Sequence, residues 1–166
     1  MAQITLGGNP VNTTGELPAV GSTAPAFTLT GGDMSPVSSA DFAGQRVILS
    51  IFPSIGTGTG QAAARTFNER AAGLDNTVVV CASADLPFAA AQFCAAEGLD
   101  DVVTGSSFKS PEFGTDYGVR FADGKFEGLL ARAVVVIDEN GSVVHSQLVS
   151  EVADEPDYDG AIASLG

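Results

Sequence analysis

Three short runs of apolar residues, many of them β-branched, dominate the hydrophobic pattern of the chain. They span residues 46–52, 77–82 and 133–137. Runs of this length without polar alternation are typical of strands that are buried on both faces. We therefore predict three core strands, and we place the second of them as a central parallel strand. Weaker strand signals occur at 27–30 and 102–104.

Two of these core strands are each followed by a segment that we predict to be a helix. From Gln61 to Leu74 the apolar residues recur at intervals of three and four, as on one face of a helix. Pro87 suits the first turn of a second helix, which we expect to end at Glu97 because glycine follows it. Weaker helical signals lie at 38–44, 111–117 and 158–165.

Two segments have the alternation and turn residues of antiparallel hairpins. The first has a strand at 3–6, a turn at 7–10 and a returning arm at 11–13. The second is centred on Asn140-Gly141, a strong hairpin signal, and returns over 142–149. With the helices, this order predicts an α/β sandwich with a mixed central sheet.

Length, composition and charge narrow the class of protein. A chain of 166 residues with 45% hydrophobic content suits one domain, residues 1–166, with a full core. No apolar run approaches the roughly 20 residues of a membrane-spanning helix, and no signal peptide is visible, so we expect a cytoplasmic protein. The net charge of −13 repels phosphates and anionic lipids. We therefore expect neither nucleic acid nor membrane as a partner.

The chain has only two cysteines, Cys81 and Cys94, and one histidine, His145. Two thiols do not form a disulfide framework in a chain of this size, and we expect them not to bond to each other. Metal ligands are not clustered in the sequence, so we expect no metal and no cofactor. We expect Cys81 to pack in the core, and His145 to lie solvated on an outer strand.

The segment from Pro53 to Gly60 is the candidate functional site. It joins the first core strand to the first helix, and Pro53 ends the strand because proline has no N–H for the sheet. A helix N-terminus offers free N–H groups and partial positive charge, which favour an anion or a thiolate. A glycine at the helix start, such as Gly60, should leave room for a ligand beside the backbone.

Several long segments, in order along nearly the whole chain, resemble the thiol peroxidases. These are the atypical two-cysteine branch of the peroxiredoxins, and they have a thioredoxin-like fold. The resembling segments are residues 17–21, 51–55, 80–89, 92–98, 112–119, 128–136 and 155–159. The resemblance implies a thioredoxin-like sandwich with an N-terminal hairpin, a peroxide substrate, thioredoxin as reductant and a homodimer.

The family's loop runs Pro-Ser-Ile-Asp-Thr-Pro-Val-Cys, and its last residue attacks peroxide. By resemblance, Pro53, Thr57 and Arg132 belong to the pocket, and Cys94 is the resolving cysteine. The peroxidatic position is occupied by Gly60. Because the reaction needs a thiolate, we expect the chain to be inactive or strongly impaired as a peroxidase.

Two other functions stay open on the sequence alone. The chain could be a non-catalytic dimeric scaffold that binds an anion or a partner through Thr57, the Gly60 backbone and Arg132. A weaker option is one-cysteine redox chemistry at Cys94. Thr57 fits a helix cap as well as a ligand, Arg132 fits a surface salt bridge or an anion site, and residues 155–157 suggest a solvated turn.

Overall fold

The computed structural model describes residues 1–166, which form a seven-stranded mixed sheet and a separate two-stranded hairpin. In chain order the elements are β1 (Gln3–Leu6), β2 (Asn9–Asn12), β3 (Thr28–Thr30), β4 (Pro36–Ser38), a 3-10 turn (Ser39–Phe42), β5 (Arg46–Ile51), α1 (Gly58–Ala71), β6 (Thr77–Ser83), α2 (Pro87–Glu97), β7 (Val102–Ser106), α3 (Glu112–Asp116), β8 (Ala133–Ile137), β9 (Val143–Leu148) and α4 (Tyr158–Ala163).

The strand order of the large sheet is β4-β3-β7-β6-β5-β8-β9. Strands β5, β6 and β7 run parallel, whereas β3, β4, β8 and β9 make antiparallel pairs. The predicted central parallel strand is β6, which lies between β5 and β7. The predicted mixed sheet and N-terminal hairpin are confirmed.

Both faces of the sheet are buried, which explains the unbroken apolar runs. Leu49 and Ile51 of β5 face one hydrophobic cluster together with the hairpin and α3. Ile48 and Phe52 face a second cluster, which includes Phe67 of α1. Since successive side chains of a strand point to opposite faces, a strand covered on both sides needs apolar residues throughout.

Three predicted boundaries are wrong. Helix α1 begins at Gly58 and not near Gln61, because Thr57 caps it and draws the glycines into its first turn, and it ends at Ala71 rather than Leu74. The N-terminal turn is only Gly7–Gly8, and Asn9 and Pro10 already belong to β2. Proline is tolerated there because β2 has a strand on one side only.

The hairpin is attached to a segment near the other end of the chain. The Thr5 N–H donates to the Ser150 carbonyl, and the Val152 N–H donates to the Thr5 carbonyl. The Glu151 carboxylate accepts from Thr5 Oγ1 and from the N–H groups of Gly7, Gly8 and Ala153. These bonds hold the pKa of Glu151 at about 2, below its usual value.

Candidate active site

The register of β5 and β8 brings two distant parts of the chain to one edge of the sheet. Ile51 pairs with Ala133 at the last step of this antiparallel ladder. Arg132 therefore lies beside the point where the chain leaves β5 for the loop, and Pro53 is buried there. Strand register thus brings two of the residues assigned to the pocket by resemblance to the same edge of the sheet.

The loop after β5 is held by Asp85, which follows β6. The Asp85 carboxylate accepts hydrogen bonds from Ser54 Oγ at 2.7 Å, from the Ile55 N–H at 2.7 Å and from Ser83 Oγ at 2.6 Å. The sequence analysis did not identify this group. The position of Asp85 just after β6 is the sequence signal for it. Because β5 and β6 are parallel, their carboxyl ends share one edge of the sheet, and Asp85 therefore lies beside the loop that follows β5.

Thr57 caps α1, and its hydroxyl is fully engaged. Thr57 Oγ1 accepts the Gly60 N–H at 3.0 Å and donates to the Ser54 carbonyl at 3.0 Å. The Gly60 N–H is therefore not available to a ligand. The N–H groups of Gly58 and Thr59 make no hydrogen bond within the protein.

Gly60 is buried, and the space beside it is occupied. A Cβ placed on Gly60 would lie 2.3 Å from the Ser54 carbonyl oxygen and 2.9 Å from Thr57 Oγ1. The expectation that this glycine leaves room beside the backbone is therefore wrong. The open position is Gly58, where a Cβ would have no neighbour within 4 Å.

Arg132 is a buried cation with an incomplete set of partners. It is 3% exposed, its Nε donates to the Val152 carbonyl at 2.7 Å, and its Nη1 has no hydrogen-bond partner in the protein. Neither of the protein's two ion pairs involves Arg132. Burial lowers the pKa of Arg132, and Tyr158 and Glu155 oppose that shift. The surface salt bridge considered for Arg132 is therefore wrong.

A short segment connects Arg132 to the start of α1. Val152 accepts the Arg132 Nε–H, and the carbonyl of the next residue, Ala153, accepts the Thr59 hydroxyl at 3.0 Å. The Arg132 Nε–H and the Thr59 hydroxyl are thus bound by the carbonyls of consecutive residues. This arrangement offers donors and positive charge, which suit an anion, but no nucleophile.

Both cysteines are free thiols. Cys81 is buried on β6, as expected, and burial raises its pKa to about 12. Cys94 is half-buried on α2, and burial raises its pKa as well. A raised pKa keeps a thiol protonated and unreactive at neutral pH. Helix α2 is tied to α1 by an ion pair between Arg65 and Glu97.

Two surface expectations need correction. His145 is half-buried and its Nε2 has no hydrogen-bond partner, because β9 is covered on the side of α4. In the segment 155–157, Glu155 accepts the Tyr158 hydroxyl and Asp157 caps α4 by accepting the Gly160 N–H. The segment is therefore structured by side-chain bonds rather than being a simple solvated turn.

The chain offers neither a metal cluster nor a membrane span. No group of three or more His, Cys, Asp or Glu side chains is placed to hold a metal ion. None of the helices combines the length and apolar character needed to cross a membrane.

Known proteins resemble the chain over its whole length. The Redoxin family profile matches residues 19–162. The thiol peroxidases of Mycobacterium bovis and Mycobacterium tuberculosis are each 57% identical over 166 residues, which is 100% of this chain and 99% of each relative. The structure of a peroxiredoxin-like protein from Aquifex aeolicus has a TM-score of 0.92 and 32% identity, covering 98% of this chain and 95% of that chain. A thiol peroxidase from Chromobacterium violaceum has a TM-score of 0.89 and 19% identity, covering 97% and 93%, and supports the fold.

Proposed function

Because the chain belongs to the thiol peroxidases of the Redoxin family, we propose that it is a family member without rapid peroxide turnover. The resemblance predicted from sequence segments and the thioredoxin-like fold are confirmed. The observation that carries the proposal is the glycine at residue 60, the position that the resemblance assigns to the family's peroxidatic cysteine. A glycine provides no thiolate to attack the peroxide oxygen.

The remaining thiols are poor substitutes for the missing nucleophile. Cys81 is buried, with its pKa raised to about 12, so peroxide neither reaches it nor finds it ionised. Cys94 is partly accessible, but its raised pKa also favours the thiol form. The Thr57 and Arg132 side chains that the family uses to hold substrate cannot supply electrons.

The test is peroxide consumption coupled to thioredoxin, thioredoxin reductase and NADPH. We expect the native chain to match a Cys81→Ala/Cys94→Ala variant, which has no thiol. Consumption well above this control would contradict the proposal. Single variants test the alternative of one-cysteine redox chemistry at Cys94. That activity would be lost in Cys94→Ala and retained in Cys81→Ala.

The partners follow from the family and are proposed on that basis. We propose peroxide as the ancestral substrate, a thioredoxin-type reductant, a cytoplasmic location and a homodimer. Three exposed apolar side chains near the candidate site support an interface: Leu86, Phe88 and Phe108 are 58%, 61% and 42% exposed. Light scattering of the native chain and of Phe88→Glu tests the dimer, which the variant should weaken.

A second candidate function is the binding of a small anion at Arg132. The observation in its favour is the buried guanidinium whose Nη1 has no partner, since an unneutralised buried charge is costly. A small planar anion such as formate offers the guanidinium two oxygens. Formate titration should shift the amide signals of Gly58 and Thr59. Arg132→Ala should abolish the shifts, whereas Arg70→Ala, which removes an exposed cation, should not. Unchanged amide signals in the native chain would contradict this function.

A further inference from the structure

A cleft lies at the edge of the sheet opposite the candidate active site. Its floor is the cross-strand pair Val47 and Ile137, near the start of β5 and at the end of β8. The pair Ile51 and Ala133, beside the candidate active site, ends the same ladder four residues further along β5, which is about 13 Å away. The cleft is therefore separate from the loop that carries Gly60.

The inner wall of the cleft is apolar. Phe27 and Phe42 line it together with the floor pair, and its volume of about 370 Å³ is in the range of small-molecule sites. The two residues of the floor pair are 5% and 7% exposed, whereas Leu49 and Val135, the next pair of the ladder on the same face, are fully buried. The cleft thus exposes one end of the hydrophobic core, and the apolar body of a ligand would cover it.

The rim of the cleft carries negative charge only. Asp138 and Glu139 are the only charged residues that line it. The Asp138 carboxylate is fixed by its own turn, because Oδ1 accepts the N–H groups of Asn140 and Ser142, each at 2.9 Å. Glu139 is exposed and belongs to neither ion pair of the protein. Two carboxylates beside an apolar wall, with no cation among the lining residues, favour a ligand that joins an apolar body to a positive charge.

We propose that the cleft binds an organic ammonium ion whose ring packs against Phe27 and Phe42 and whose amine lies beside Glu139. The ring covers the exposed end of the core, and the ammonium group donates hydrogen bonds to the carboxylates of the rim. A carboxylate ligand with the same ring would be repelled by those carboxylates. The proposal involves neither Gly60 nor Arg132, so it stands apart from both functions proposed above.

The test uses tryptamine, whose amine is protonated at neutral pH and whose indole fluorescence is free of background because the chain has no tryptophan. Titration with the protein should raise the fluorescence anisotropy of tryptamine to saturation. Tryptophol and indole-3-acetate carry the same ring with a neutral and a negative group. They should bind about threefold and about tenfold more weakly, respectively. Equal affinity for the three compounds, or no binding of tryptamine, would overturn the proposal.

A pair of variants separates this site from general attraction to a chain of net charge −13. Glu139→Gln should weaken tryptamine binding about threefold and leave tryptophol binding unchanged. Glu127→Gln is the matched control, because it removes an exposed carboxylate that does not line the cleft. Equal weakening of tryptamine binding in the two variants would mean that the acidic surface as a whole attracts the cation, and it would overturn the proposal.

Amide signals locate the bound ligand independently of its affinity. Tryptamine should shift the signals of residues 42–45 and 139–141, which line the cleft, and should leave those of Gly58 and Thr59 unchanged. Shifts confined to other parts of the chain would contradict the site even if tryptamine binds.

Discussion

Gly60→Ala is expected to destabilise the protein although alanine is the better helix former. The new Cβ would lie 2.3 Å from the Ser54 carbonyl oxygen, where ordinary contacts begin at 3.4 Å. That oxygen is backbone, and it already accepts the N–H and the hydroxyl of Thr57. Relieving such a contact costs about 1–3 kcal/mol, against a gain of about 0.5–1 kcal/mol for replacing a helical glycine. The net loss is about 0.5–2 kcal/mol.

Gly58→Ala provides the matched control. Gly58 lies in the same helical turn, its Cβ would have no neighbour within 4 Å, and neither glycine has a positive φ. Alanine at Gly58 should stabilise the fold by about 0.4–1 kcal/mol. Urea unfolding at constant m-value measures both changes in the free energy of unfolding, and the melting temperature of Gly60→Ala should fall by roughly 1–8 °C. Equal stability of the two variants would refute the steric argument.

Two further predictions concern acid stability and thiol reactivity. The folded-state pKa of Glu151 lies near 2, below its ordinary value of 4.5, so its contribution to stability is complete above pH 4.5 and is lost as the pH falls towards 2. In Glu151→Gln the free energy of unfolding, measured by urea titration, should depend less on pH between about 2 and 4.5. An unchanged pH dependence would contradict the role of the hydrogen bonds to the Glu151 carboxylate. Iodoacetamide should label Cys94 slowly, at a rate that rises with pH, and should label Cys81 only after unfolding. Equal labelling of both thiols in the native state would contradict this assignment.

The sequence predicted the second helix and every strand except β4 because their signals are local, whereas the three residues of β4 are too few to show a pattern. Buried β-branched runs, Pro87 at the start of α2 and Gly98 at its end act over a few residues. Helix α1 was placed three residues late because Gly58 and Gly60 are weak helix formers. The Thr57 cap overrides that preference. The sequence left Thr57 open as a cap or a ligand, and the hydrogen bond from the Gly60 N–H identifies it as the cap.

The candidate site was less predictable because it depends on contacts between distant residues. Resemblance assigned Arg132 to the pocket, but its burial and its unpaired Nη1 depend on the β5–β8 register and the position of Val152. Asp85 was missed because its bonds to Ser54 Oγ and the Ile55 N–H join two separate segments of the chain. Hydrogen-bond satisfaction is a property of the assembled fold, and spacing along the chain does not encode it.

The attachment of the hairpin to residues 150–152 has a consequence for the order of folding during synthesis. Strands β1 and β2 pair locally and can form as soon as they leave the ribosome. Their docking requires Ser150 and Glu151, which are separated from Thr5 by about 145 residues and are synthesised that much later. The hairpin must therefore wait for those residues before it docks, and until then its apolar side chains Ile4 and Val11 lack part of their surroundings in the core.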